Sequence, residues 1–129
     1  MSLKDALHVL VVDDMATSRG LIVQSLTDLG IKNVSWERSG DDAFRSLQNK
    51  PVHLIISDQN MPGMTGLQLL HAVRSYAPLA KTGFILVTGS PDPKILQQGV
   101  QIGLNNYLTK PFNTAQMKAC VERVVGRLG

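Results

Sequence analysis

The chain has 129 residues, 43% of them hydrophobic and 18% charged, which suits one domain and excludes disordered, collagen-like and coiled-coil chains. Its formal net charge of +3 comes from 13 basic and 10 acidic side chains, and no stretch concentrates Lys and Arg, so no nucleic-acid partner is expected. With no apolar run near the roughly 18 residues of a membrane span, no signal-peptide core before Asp5 and one unpaired cysteine, Cys120, a cytoplasmic protein without membrane insertion is expected.

Along the chain the apolar pattern alternates between two periods. Val9-Leu10-Val11-Val12 is short, continuous and rich in β-branched residues, which suits a strand buried on both faces of a parallel sheet. Ile22, Leu26 and Leu29 then keep i, i+4, i+7 spacing, so a helix is predicted there, with Gly30 as its C-terminal cap. Val34-Ser35-Trp36-Glu37 alternates apolar and polar residues, the mark of a half-exposed edge strand. Ser39 caps a helix running toward Leu47, with Asp42 completing a weak capping box. Leu54-Ile55-Ile56 is the next buried strand, and a helix over residues 66 to 76 stops before Pro78. Phe84-Ile85-Leu86-Val87 is a fourth strand, and Ser90-Pro91-Asp92-Pro93 supplies capping residues and first-turn prolines for another helix. Asn106-Tyr107-Leu108-Thr109 is a second edge strand. The last helix carries Met117, Val121, Val124, Val125 and Leu128 on one face, with Cys120 read as packing.

Five alternating strand–helix units imply an α/β fold, a five-stranded parallel sheet with right-handed crossovers and helices on both faces. With the second and fifth strands at the edges, the strand order is 2-1-3-4-5. Ligands of open α/β sheets bind where the chain reverses direction, beyond the carboxyl ends of the strands. There the first strand ends in Asp13-Asp14, the third in Asp58, the fourth in Thr88 and the fifth in Lys110-Pro111. Each alone has an ordinary explanation as a turn, cap or surface residue. Capping explains neither the lysine nor the shared edge, so a functional cleft is expected.

Three clustered carboxylates repel one another, and a hard divalent cation relieves this; Mg²⁺ takes one or two carboxylates, other oxygens and waters, and recruits phosphate oxygens. Lys110 and Thr88 suit a phosphoryl group in transfer, as a point charge and a hydrogen-bond donor. Asp58, central in the cleft, is the candidate nucleophile that would form an acyl phosphate. His8, His53 and His71 are scattered in sequence and offer no softer metal site.

The strings Val11-Val12-Asp13-Asp14, Ser57-Asp58-Gln59-Asn60-Met61-Pro62-Gly63-Met64-Thr65-Gly66, Val87-Thr88 and Lys110-Pro111-Phe112 carry a resemblance. In order and spacing the chain resembles the receiver domain of two-component response regulators over essentially its whole length, and within that family the stand-alone chemotaxis type. The resemblance implies a flavodoxin-like single receiver domain over 1–129, with no output domain. It further implies that Asp58 accepts a phosphoryl group from a histidine kinase, and that Asp13, Asp14, Asp58 and the backbone carbonyl of Asn60 position Mg²⁺. Lys110 would pair with the carboxylate or phosphoryl group across a cis bond to Pro111. Thr88 would swing toward the phosphoryl oxygen and Tyr107 rotate inward, switching the surface of the fourth main helix, fifth strand and fifth main helix. Asn60 and Ser90 would flank the path of the attacking water and tune the lifetime of the phosphorylated state.

A phosphoacceptor signalling protein in chemotaxis is therefore expected, monomeric, with a downstream target protein for which the flagellar motor switch is the candidate. It would catalyse only its own phosphorylation and dephosphorylation. A phosphorelay intermediate or phosphate sink is the alternative. A haloacid-dehalogenase-like phosphatase would need an Asp where Met15 stands, and no GxxxxGK or GxGxxG loop follows the first strand. Gln59 follows the phosphoacceptor where well-studied chemotaxis relatives carry Trp. Trp36, the only tryptophan, is placed on the second strand, away from the cleft.

Overall fold

The structure, a computed structural model, describes residues 2–129. A one-turn helix α1 (Leu3–Ala6) leads into β1 (His8–Val12), α2 (Ala16–Asp28), β2 (Asn33–Glu37), α3 (Gly40–Asn49) and β3 (Leu54–Asp58). Then follow α4 (Gly66–Ser75), a 3₁₀ turn (Ala77–Leu79), β4 (Gly83–Thr88), α5 (Pro93–Gln101), β5 (Asn106–Thr109) and α6 (Thr114–Val125). All four strand pairings are parallel, and the order is β2-β1-β3-β4-β5. The expected fold class and strand order are therefore observed. Only α1 and the 3₁₀ turn had no counterpart in the sequence pattern, being too short to show a period.

The uninterrupted apolar runs are explained by two cores, one on each face. Val9, Val11, Leu54, Ile56, Ile85 and Val87 pack against Ile22 and Leu26 of α2 and Met117 and Val121 of α6. Their alternate neighbours Leu10, Val12, Ile55, Phe84 and Leu86 pack against Ala43, Leu47, Leu69, Leu70 and Val73 of α3 and α4. A strand buried on both faces has no room for a polar position, so the period of two disappears from the sequence. Each fully buried aliphatic side chain contributes about 1.5–3 kcal/mol relative to exposure. The edge strands are only partly buried, and Trp36 and Tyr107 on them are exposed.

Polar residues set the helix starts. Thr65 and Asn113 form reciprocal capping boxes with Gln68 and Gln116, and Asp92 accepts from the Lys94 N–H with Pro93 in the first turn. At α3 only half of the expected box forms. Ser39 accepts from the Asp42 N–H, but the Asp42 carboxylate turns to Arg45 at 3.3 Å. Gly30 ends α2 with φ +86°, the left-handed C-cap expected of it.

The amino-terminal edge of the sheet, opposite the strand ends that carry charge, is tied together by Arg74. Its guanidinium donates to the carbonyls of Ala80, Thr82 and Gly103 at 2.6–3.1 Å and to Asn105 Oδ1 at 2.9 Å. Asn105 Oδ1 in turn accepts from the Phe84 N–H of β4. Burial lowers the Arg74 pKa from its ordinary value without removing its charge. His8 and His53 also meet at this edge, their rings 5.7 Å apart, so these two histidines are distant only in sequence. Replacing Arg74 with Lys keeps the charge but cannot satisfy the same carbonyls. Arg74→Lys is expected to lower the free energy of unfolding by about 2 kcal/mol, measured by urea denaturation.

Candidate functional site

Strands β1 and β3 are neighbours in register, with Val12 opposite Ser57, so the residues that end them emerge side by side. Asp13 is fully buried and Asp58 is 7% exposed, whereas Asp14 faces solvent. Carboxylate oxygens of the three lie within 4.8 Å of one another. Close approach of α4 helps fix Asp58, because Gly66 lies against the end of β3. A Cβ there would sit 2.6 Å from both the Asp58 carbonyl oxygen and a Leu86 methyl.

Lys110 reaches this cluster from the end of β5. Its Nζ donates to Asp58 Oδ1 at 3.1 Å and to Ser18 Oγ at 2.7 Å, and stands 3.6 Å from Asp13 Oδ2. Its backbone N–H donates to the Thr88 carbonyl, and the Lys110–Pro111 peptide is cis, as the resemblance implied. Asp13 is held by its surroundings: Oδ1 accepts from the Met15 N–H at 3.0 Å and Oδ2 from the Ser18 hydroxyl at 2.5 Å. Burial pushes the Asp58 carboxyl up from its ordinary pKa; the hydrogen bond and charge of Lys110 oppose this without cancelling it.

Thr88, at the end of β4, is 3% exposed, and its hydroxyl accepts from the Ser90 N–H at 3.2 Å. Its oxygen is thus turned into its own loop. Tyr107 is 47% exposed and stands outside the sheet edge. Asn60 and Ser90, both exposed, line with Thr88 and Asp92 a cleft of about 290 Å³ between the β3–α4 and β4–α5 loops. The donor set is hard oxygen throughout, with no nitrogen or sulfur ligand, and one lysine stands against three carboxylates. That composition fits Mg²⁺, for which the carboxylates of Asp13, Asp14 and Asp58 are the residues at hand.

Sequence reasoning missed three features here. Ser18 joins Asp13 to Lys110 from the first turn and a half of α2, and no motif marks it. The Gln59 side chain turns away from the carboxylates, and its Oε1 accepts from the Leu67 N–H at 2.9 Å, capping α4. Trp36 lies on β2 as expected but not away from the cleft. The Arg19 guanidinium lies 4.0 Å from its ring centroid and donates to the Asp13 carbonyl at 2.9 Å, so one side chain separates the ring from the site. The expectation failed because α2 returns across β2 and projects Arg19 between them.

Comparison with known proteins agrees with this geometry. The chain is 41% identical over 128 residues, 99% of each sequence, to the "Probable chemotaxis protein CheY" of Rhizobium etli. Among solved structures, chemotaxis protein CheY4 of Vibrio cholerae superposes with a TM-score of 0.85 at 33% identity, covering 92% of this chain and 98% of that one. The receiver domain of sensor histidine kinase PA1611 from Pseudomonas aeruginosa, solved with a magnesium ion coordinated in its active site cleft, gives 0.83 at 25% identity, covering 93% and 98%. The sequence profile of the response regulator receiver domain matches residues 9–122, and to that family, a family of signalling domains, the chain belongs.

Proposed function

We propose that Asp58 accepts a phosphoryl group from the phosphohistidine of a histidine kinase, and that the modified domain uses the α5–β5–α6 surface to bind a downstream target. The carrying observation is the poorly solvated Asp58 carboxylate, with the Lys110 ammonium 3.1 Å away and two more carboxylates within 4.8 Å. In transfer, an Asp58 oxygen forms the new bond to phosphorus while the phosphorus–nitrogen bond to the donor imidazole breaks. The electron pair of the broken bond stays on the ring nitrogen. Lys110 faces the charge on the phosphoryl oxygens, and Thr88 donates to one of them after leaving Ser90. Mg²⁺, when bound by Asp13, Asp14, Asp58 and the Asn60 carbonyl, supplies positive charge to the carboxylates and to the phosphoryl oxygens. Asn60 and Ser90 line the cleft by which water reaches Asp58, so they set how long the modification lasts.

The switch rests on differential contacts. A phosphoryl group shifts the population only through contacts it makes in one arrangement and lacks in the other. The Thr88 hydroxyl, now bonded to Ser90, is such a contact, and its departure opens the space into which Tyr107 turns. Relatives matched over nearly their whole length support chemotaxis as the setting; a monomer in the cytoplasm, with the flagellar motor switch as candidate target, is the inferred form. They favour this reading over a phosphorelay intermediate or phosphate sink. The chemistry proposed is confined to the protein's own phosphorylation and dephosphorylation.

Intact-mass analysis after incubation with acetyl phosphate tests the reading. A gain of one phosphoryl group is expected with Mg²⁺, none without it, and none in Asp58→Asn. Asp14→Ala removes one of three repelling charges without touching the Lys110 pairs. It is expected to raise the metal-free melting temperature by about 2–4 °C, the shift of roughly 1 kcal/mol at this length, and to blunt the stabilisation by added Mg²⁺. Differential scanning fluorimetry with and without the metal reads both effects.

The raised Asp58 carboxyl also gives metal-free stability a pH dependence of defined sign. The folded state holds this proton more tightly than the unfolded chain, so protonation favours the fold. The gain is fully present below the unfolded value of about 3.9 and is lost as pH rises through the higher folded value. Metal-free Asp58→Asn is therefore expected to be more stable than the unsubstituted protein at pH 7. The difference should shrink as pH falls through that window, measured by urea unfolding across the range.

A further inference from the structure

The Lys110 ammonium has two anionic neighbours and one neutral one. The neutral contact, to Ser18 Oγ at 2.7 Å, is the shortest of the three. The same oxygen donates its proton to Asp13 Oδ2 at 2.5 Å. Because the hydroxyl proton is committed to Asp13, the Ser18 lone pairs face the ammonium, and the bridge has a fixed direction. Asp13 is fully buried and Ser18 half-buried, so little water is available to replace either bond. Ser18 also sits on a helix packed into the core through Ile22 and Leu26, a rigid base from which to hold a long, flexible side chain.

We propose that Ser18 is a positioning residue for phosphoryl transfer, holding the Lys110 ammonium beside Asp58 and away from direct contact with Asp13. The proposal rests on the reading of Asp58 as phosphoacceptor. A lysine with only carboxylates around it follows whichever carboxylate is free. Both carboxylates change their engagements during the reaction, Asp58 by taking the phosphoryl group and Asp13 by serving as a metal ligand. Ser18 changes neither its charge nor its partners' identity, so the ammonium keeps one anchor throughout. Without the hydroxyl, the 3.6 Å gap to Asp13 Oδ2 closes and Nζ withdraws from the phosphoryl position. Displacement of a catalytic group on the order of 1 Å costs up to about a hundredfold in rate.

The test is a double-mutant cycle between Ser18→Ala and Lys110→Met in the full chain, read two ways. Phosphorylation by acetyl phosphate at saturating Mg²⁺, followed by intact mass, is expected to slow about tenfold in Ser18→Ala. It should slow by less than about twofold when the same change is made in the Lys110→Met background. Ser18→Thr, which keeps the hydroxyl, is expected to restore the rate. Independently of activity, the metal-free urea midpoint should fall in Ser18→Ala and fall less in the Lys110→Met background. An unchanged rate in Ser18→Ala, or a loss of equal factor in both backgrounds, overturns the proposal. The unsubstituted protein and Asp58→Asn are run alongside. If neither gains a phosphoryl group, the phosphoacceptor reading fails; if the unsubstituted protein gains one and the cycle shows no coupling, only the role of Ser18 fails.

Discussion

Carboxylates held out of water must be matched by positive charge, and the carboxyl edge of this sheet is built around that demand. Asp13 and Asp58 are buried and Asp14 lies close beside them, with Lys110 the cation bonded among them. At an effective dielectric of 20, two unit charges 4 Å apart interact by about 4 kcal/mol, so one lysine cannot offset three carboxylates. Burial is the main cause of the raised Asp58 pKa, and the nearby Asp13 charge adds to it. A site with unmet demand for positive charge and a partly desolvated carboxylate is suited to taking a cation and a phosphoryl group together. The same imbalance gives the unmodified state a tension that ligand binding relieves.

The two-faced core makes such a site possible. Because β1, β3 and β4 are covered on both sides, their ends are set by parallel register rather than by flexible loops. Gly66 and the Gln59 cap fasten α4 directly behind Asp58, so this carboxylate is flanked by a strand and a helix start. At the other end Arg74 gathers three carbonyls from two connecting segments, those leading into β4 and β5, and ties the sheet at its amino-terminal edge. The hydrogen-bonded tie lies at one edge and the repelling carboxylates at the other, an arrangement that lets the charged edge carry repulsion without unfolding the domain.

Thr88 stands at the carboxyl edge, at the end of β4, and Tyr107 on the outer strand, β5. Thr88 is buried within the reach of the cleft, but its hydroxyl serves Ser90; Tyr107 stands in solvent on the last strand. In the switch proposed above, a few contacts separate the two arrangements, a balance that a single phosphoryl group would tip. Gly89 between Thr88 and Ser90 has no close neighbour a Cβ would strike, so the loop is free to rearrange without repacking the core.

Much of this was legible in the sequence, for definite reasons. Burial on both faces erases alternation, so the three central strands announced themselves as apolar runs, and the edge strands as more polar segments. Strand order then followed from connection rules, and the placement of Asp13, Asp14, Asp58, Thr88 and Lys110 at one edge followed from where the runs stop. What sequence could not supply were contacts that depend on side-chain direction. Ser18 meets Lys110 across 92 positions because α2 and the β5–α6 loop pack side by side. Arg19 bridges Trp36 and Asp13, Gln59 caps α4 through its side-chain oxygen, and Asp42 chooses Arg45 over its helix cap, each by geometry that no spacing encodes. The sequence by itself determined which elements form and which charges share an edge, because those depend on hydrophobic period and strand termini. Tertiary structure alone decided which of those charges touch, since contacts of about 3 Å are set by packing between elements distant in the chain.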